Sequence, residues 1–102
     1  MMRKLSAKEL TQLKEMGSLF MNIGMCALVL EISLEQLVKE VNKLNSECYK
    51  AYYTGYYTSE LEVRKSVIGL AKAGSSPAQS LAATYLKNCE LDNNHYGITT
   101  LD

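Results

Sequence analysis

Apolar residues recur at three- and four-residue intervals along most of this chain, and no stretch alternates apolar with polar. That period gathers side chains on one face of a helix, whereas a half-buried strand needs period two. Five helices are predicted. The first opens at Ser6 with Glu9 three residues on, a capping box in which each side chain satisfies a free backbone amide. Leu10, Leu13, Met16, Gly17 and Phe20 form its inner stripe, and Asn22 and Gly24 are expected to loosen the chain at its end. A short second helix covers about residues 25–30. Ser33 and Gln36 form another capping box at the start of the third. Leu34, Leu37, Val38, Val41 and Leu44 line the inside of that helix; Glu35, Gln36, Lys39, Glu40, Asn42 and Lys43 face outward. Asn45 or Ser46 caps a fourth helix running to about Ala73. Gly74 stops it, and "SSPAQ" starts the fifth, with Ser76 as N-cap, Pro77 at the first helical position and Gln79 closing the box. Leu81, Tyr85, Leu86 and Cys89 lie along the fifth helix. The last run, "DNNHYGITTLD", has no apolar period and is expected to be a loose tail.

The predicted class is therefore all-α. An N-terminal three-helix bundle of helix-turn-helix type spans 6–44, a long helical hairpin suited to oligomerisation spans 45–91, and a flexible tail spans 92–102. The hairpin begins with an unusual run, "CYKAYYTGYYT", that holds five of the seven tyrosines. Tyr49, Tyr52, Tyr53, Tyr56 and Tyr57 fall on one helical face. Three uses fit such a stripe: packing inside the subunit, a subunit interface, or stacking on the bases of single-stranded nucleic acid. Glu60 and Arg64 stand four apart within it, either as an exposed pair or as partners for charges on a neighbouring subunit.

In a helix-turn-helix the third helix presents its outer face to the major groove of duplex DNA. Gln36 and Asn42 are the candidate readers of base edges, and Lys39 and Lys43 the candidate phosphate contacts. Charge tempers this reading. Eleven Lys plus Arg balance eleven Asp plus Glu, so DNA affinity must come from local placement or from many copies acting together.

The three cysteines, Cys26, Cys48 and Cys89, match no zinc-finger or knuckle spacing with His95, so no metal is expected and the thiols are expected to act as small buried hydrophobes. A reducing, cytoplasmic setting fits free thiols, an N-terminus without a continuous apolar run, and apolar stretches too short to span a bilayer. No phosphate-binding loop occurs, the single histidine falls in the tail, and no cysteine has an activating partner nearby in sequence. No catalytic residue, cofactor or small-molecule substrate is expected.

The order of parts resembles that of the small terminase subunits of tailed bacteriophages. The likeness lies in "NSECYKAYYTGYYTSELEVRKSVIGLAKAGSSPAQSLAATYL". It consists of an aromatic-small-glycine run (Tyr52 to Gly55), an E-x-x-x-R element (Glu60 to Arg64), an A-x-x-G stop (Ala71 to Gly74) and a proline-opened helix (Pro77 to Leu86). The resemblance implies a non-enzymatic part of a genome-packaging motor in the host cytoplasm. It would bind double-stranded viral DNA, assemble as a homo-oligomeric ring and regulate the large terminase subunit. Two other readings of the same residues remain: a small dimeric helix-turn-helix transcriptional regulator, and a purely structural helical assembly protein.

Overall fold

The computed structural model describes residues 4–97, and every regular element among them is α-helical. In chain order these are α1 (Ala7–Ser18), α2 (Ile23–Leu30), α3 (Leu34–Asn42), α4 (Glu47–Lys72) and α5 (Ser76–His95). Side-chain caps set the starts. Ser6 and Glu9 form the reciprocal box, with bonds of 3.2 and 2.9 Å. Asn22 does not loosen the chain: its Oδ1 accepts from the Met25 amide at 2.9 Å, so α2 begins at Ile23 and Gly24 lies within it. The Ser33 hydroxyl accepts from the Gln36 amide at 3.1 Å. Ser46 joins two helices, donating to the Glu40 carbonyl at 2.7 Å and accepting from the Tyr49 amide at 3.0 Å.

The ends of α1, α2 and α4 share one device. The amides of Met21, Ile32 and Ser75 each reach back five residues, to the carbonyls of Met16, Ala27 and Leu70, at 3.1, 3.0 and 3.1 Å. This is the Schellman closure, which needs a left-handed residue one position earlier. Gly74 fills that place after α4 at φ 104°, but Phe20 and Glu31 fill it after α1 and α2 at φ 58° and 55°. Phe20 thereby leaves the predicted inner stripe of α1.

The fifth helix departs from its predicted start and stop. Ser75, not Ser76, is the cap, accepting from the Ala78 amide at 3.4 Å, so Pro77 is the second helical residue. Gln79 closes no box; its Nε2 donates to the Ala71 carbonyl at 3.1 Å. At the other end α5 continues to His95, because no breaker interrupts the polar run before Gly97, at φ 80°. Of the predicted tail, 98–102 lies outside the described residues.

The chain divides into two compact units, Met1–Leu61 and Glu62–Asp102, and α4 runs through the division. Leu13, Met16, Cys26, Leu30, Leu37 and Val41 are central to the core of the first unit. α4 enters that core with Cys48 and Tyr52, so its tyrosine half packs on the three short helices. Gly17 and Gly55 allow this. A Cβ on Gly17 would overlap the Tyr52 carbonyl, and one on Gly55 the Lys14 carbonyl; α1 and α4 cross backbone to backbone. The apolar stripe of α3 is wider than its cover. Leu37 and Val41 are buried, but Leu34 and Val38 are exposed, and Leu44, expected on the same stripe, lies past the end of α3 and is also exposed. α2 is apolar throughout, yet Met25, Leu28 and Val29 face outward.

In the second unit α5 returns antiparallel to the C-terminal half of α4. Gln79 reaches Ala71, and the Arg64 guanidinium lies 4.1 Å from the centre of the Tyr85 ring. Among the described residues of this unit only Ala78 is buried. Val63, Leu70, Leu81, Leu86 and Leu91 are all exposed.

Candidate interaction surfaces

The five tyrosines of α4 take different places because a helix crossing a small bundle can bury only one narrow stripe. Tyr52 goes inward and keeps 6% of its surface. Its hydroxyl donates to the Met21 carbonyl at 2.7 Å, which satisfies both groups. Burial, and after it the neighbouring Cys26, Tyr53 and Tyr56, raises the Tyr52 pKa, so this phenol holds its proton more tightly than usual. Tyr56 is half-buried with its ring edge-on to Phe20, centroids 5.2 Å apart. This contact gives the left-handed Phe20 a packing role.

Tyr49, Tyr53 and Tyr57 form the outward part. They sit at successive turns of α4, with ring centroids 5.1 and 5.7 Å apart along the row, the second pair stacked at 20°. Together with Lys50, Thr54 and Leu61 they line an open groove of about 410 Å³. Tyr57 is the most exposed, at 59%. Its pKa is raised by partial burial first, then by Tyr53 and the Glu60 carboxylate. Tyr57 therefore holds its proton more tightly than a free phenol, and the groove is aromatic with hydroxyl edges and one lysine.

The candidate DNA residues remain together on α3. Lys39 and Asn42 are exposed on the helix, and Gln36 is half-exposed in its first turn. Lys43 lies just past the last helical residue with an extended backbone, and its Nζ pairs with Glu40 at 2.8 Å. An exposed pair of this kind is weak and leaves the lysine available to a phosphate. Exposed Leu34 and Val38 share the α3 surface with these residues, a feature the assumption of a fully covered inner stripe missed. Glu60 is half-exposed beside Tyr57, and the Arg64 guanidinium lies over the Tyr85 ring.

The thiols also differ. Cys26 and Cys48 are buried and their pKa values are raised, chiefly by that burial, which makes them poor nucleophiles. Cys89 is exposed, contrary to expectation, because the face of α5 that carries it has no cover. Among the described residues no three His, Cys, Asp or Glu side chains come together, and no helix is long and apolar enough to cross a membrane. Comparison of the chain with protein-family models, with curated proteins and with solved structures returned no match.

Proposed function

We propose that this protein is a non-enzymatic, self-assembling DNA-binding adaptor of the small-terminase kind. In this reading α1–α3 form a helix-turn-helix unit, α4 and α5 form an oligomerising hairpin, and the assembled ring engages double-stranded DNA and a large terminase motor. One observation carries the assembly part. The described portion of the second unit buries Ala78 alone while five large aliphatic side chains are exposed. The unit, Glu62–Asp102, sits near the size of about 40 residues below which a chain rarely folds without help from disulfides, metals or oligomerisation. The outward tyrosine row adds an aromatic surface of the type enriched at interfaces. Gln36, Lys39 and Asn42 on α3, with Lys43 just past its end, support the DNA part.

A second reading, a structural assembly protein with no DNA role, is favoured by the exposed Leu34 and Val38 and by Glu35 and Glu40 on α3. The test measures mass by light scattering and duplex-DNA binding by fluorescence across salt concentrations. A multi-subunit mass with salt-dependent binding supports the adaptor. A monomer at tens of micromolar sinks it, whereas assembly without DNA binding at low salt leaves the structural reading.

A further inference from the structure

From residue 16 to residue 38 the chain has no lysine or arginine and only two carboxylates, Glu31 and Glu35. Charge is far commoner in the chain as a whole, at 22% of residues. Within this segment α2 buries Cys26, Ala27 and Leu30 and turns Met25, Leu28 and Val29 the other way. Leu28 keeps 81% of its surface. A helix that is apolar all round is ordinarily covered on every side, and α2 is covered on one. α3 adds Leu34 and Val38, one turn apart and both exposed. Leu28 stands in the last turn of α2 and Leu34 at the first position of α3, so both border the short connection between the helices.

The two carboxylates belong to the same corner. Glu31 is the C-cap of α2 and Glu35 lies in the first turn of α3. Both are exposed, and neither pairs with a cation among the described residues. The last turn of α2 holds no basic residue, so the negative end of its dipole adds to the charge of Glu31. Glu31 also takes a left-handed backbone, φ 55°, which glycine adopts without strain. Strain of this kind clusters at binding sites.

Charge selects the occupant of this face. A second copy presenting the same face would bring the carboxylates of both together with no cation between them, and nucleic acid or anionic lipid would be repelled in the same way. Every regular element among the described residues is helical, so no sheet edge is open to an added strand. Leu34 and Val38 form a ridge of the kind against which another helix packs, and Met25 can adapt to a partner's shape. We propose that the outer face of α2 and the adjoining ridge of α3 dock an amphipathic helix of a partner protein. Leu28, Val29 and Leu34 meet its apolar stripe, and Glu31 and Glu35 pair with Lys or Arg at the edge of that stripe. This docking goes beyond the assembly and DNA binding proposed above and depends on neither.

The test uses the full chain and three fluorescent synthetic peptides of about 18 residues, long enough to hold a helix. One has a leucine stripe flanked by arginine. The second has the same stripe flanked by glutamate. The third has the composition of the first, shuffled so that no stripe forms. Fluorescence anisotropy should show the arginine peptide binding at least about tenfold tighter than the other two. Leu28→Asp should weaken it by more than about tenfold, with an unchanged circular dichroism spectrum because Leu28 is exposed. Glu31→Gly should weaken it about two- to fivefold while raising the melting temperature, a split that a purely structural Glu31 would not give. Glu31→Lys with Glu35→Lys should turn the preference to the glutamate peptide.

An arginine peptide that fails to bind at tens of micromolar overturns the proposal. So does equal binding of the arginine and glutamate peptides, or binding that neither Leu28→Asp nor the charge reversal alters. A fall in the mass of the peptide-free protein on Leu28→Asp would make the face a contact between copies instead. Sedimentation with phosphatidylcholine vesicles that Leu28→Asp abolishes would make it a lipid-binding face. A monomeric wild type that still selects the arginine peptide removes the assembly reading and keeps this one.

Discussion

Gly55→Ala tests the backbone crossing of α1 and α4 and has two opposing terms. Gly55 is helical, so alanine gains about 1 kcal/mol of helix propensity. Against this, the new Cβ would overlap the Lys14 carbonyl oxygen and come within 2.9 Å of the Lys14 carbonyl carbon and 3.1 Å of the Ser18 amide nitrogen. These are backbone atoms of a packed helix and cannot swing away as a side-chain end does. Relief requires α1 to retreat by about 1 Å, which forfeits a quarter to a half of each contact across the crossing. Overpacking of this kind costs about 1–3 kcal/mol, and the upper end applies where backbone meets backbone. The net expectation is a loss of about 2 kcal/mol, a fall in Tm of about 8–16 °C. Gly69 is the internal control: it lies in the same helix, a Cβ there meets nothing within 4 Å, and Gly69→Ala should raise stability by up to about 1 kcal/mol. Both variants are read by far-UV circular dichroism melts and urea titrations at one fixed protein concentration, because assembly makes Tm concentration-dependent. If Gly55→Ala melts at or above the wild type while Gly69→Ala behaves as expected, the two helices are not in backbone contact.

Glu31 closes α2 in the left-handed region, so Glu31→Gly should stabilise by about 1 kcal/mol in urea titration; a loss would show that the Glu31 side chain contributes more than its backbone strain costs. Tyr52→Phe removes the bond to the Met21 carbonyl and should cost about 1 kcal/mol. The folded chain holds the Tyr52, Cys26 and Cys48 protons more tightly than the unfolded chain does. Their linked stability is thus intact below about pH 8.5 and is lost as pH rises through the raised values, and Tyr52→Phe should lessen the part of that loss above about pH 10. Gly74→Val forces a β-branched residue to φ 104° and should cost about 1–3 kcal/mol; an unchanged melt would mean that α4 does not end there. For DNA, each of Lys39→Ala and Lys43→Ala should lower the slope of log affinity against log salt by about 0.9, and an unchanged slope in both would remove α3 from the interface.

Local chemistry was largely open to reading from residue order. The Ser6–Glu9 box, the Ser33 and Ser46 caps and the left-handed Gly74 each depend on atoms within a few residues, so the five helices and their approximate bounds follow from spacing alone. The misses also have local causes. Phe20 and Glu31 do the work usually given to glycine, so nothing in residue type announced those helix ends. Pro77 fits the second helical position as well as the first, so the expected cap at Ser76 moved one residue earlier to Ser75. What residue order left open was the division of apolar residues between core and surface. Periodicity identifies the face of a helix but not how much of it a neighbour covers, and that depends on where helices cross. The crossing at Gly17 and Gly55 turns Tyr52 inward and leaves Tyr49, Tyr53 and Tyr57 along an open groove, although all belong to one stripe in the sequence. Likewise Leu34 and Leu37 look alike on α3 until the core formed with the neighbouring helices covers one and not the other. Helix identity is set by short-range hydrogen bonding and side-chain period, which the chain carries in itself; burial is set by contacts between distant residues, which only the tertiary structure determines.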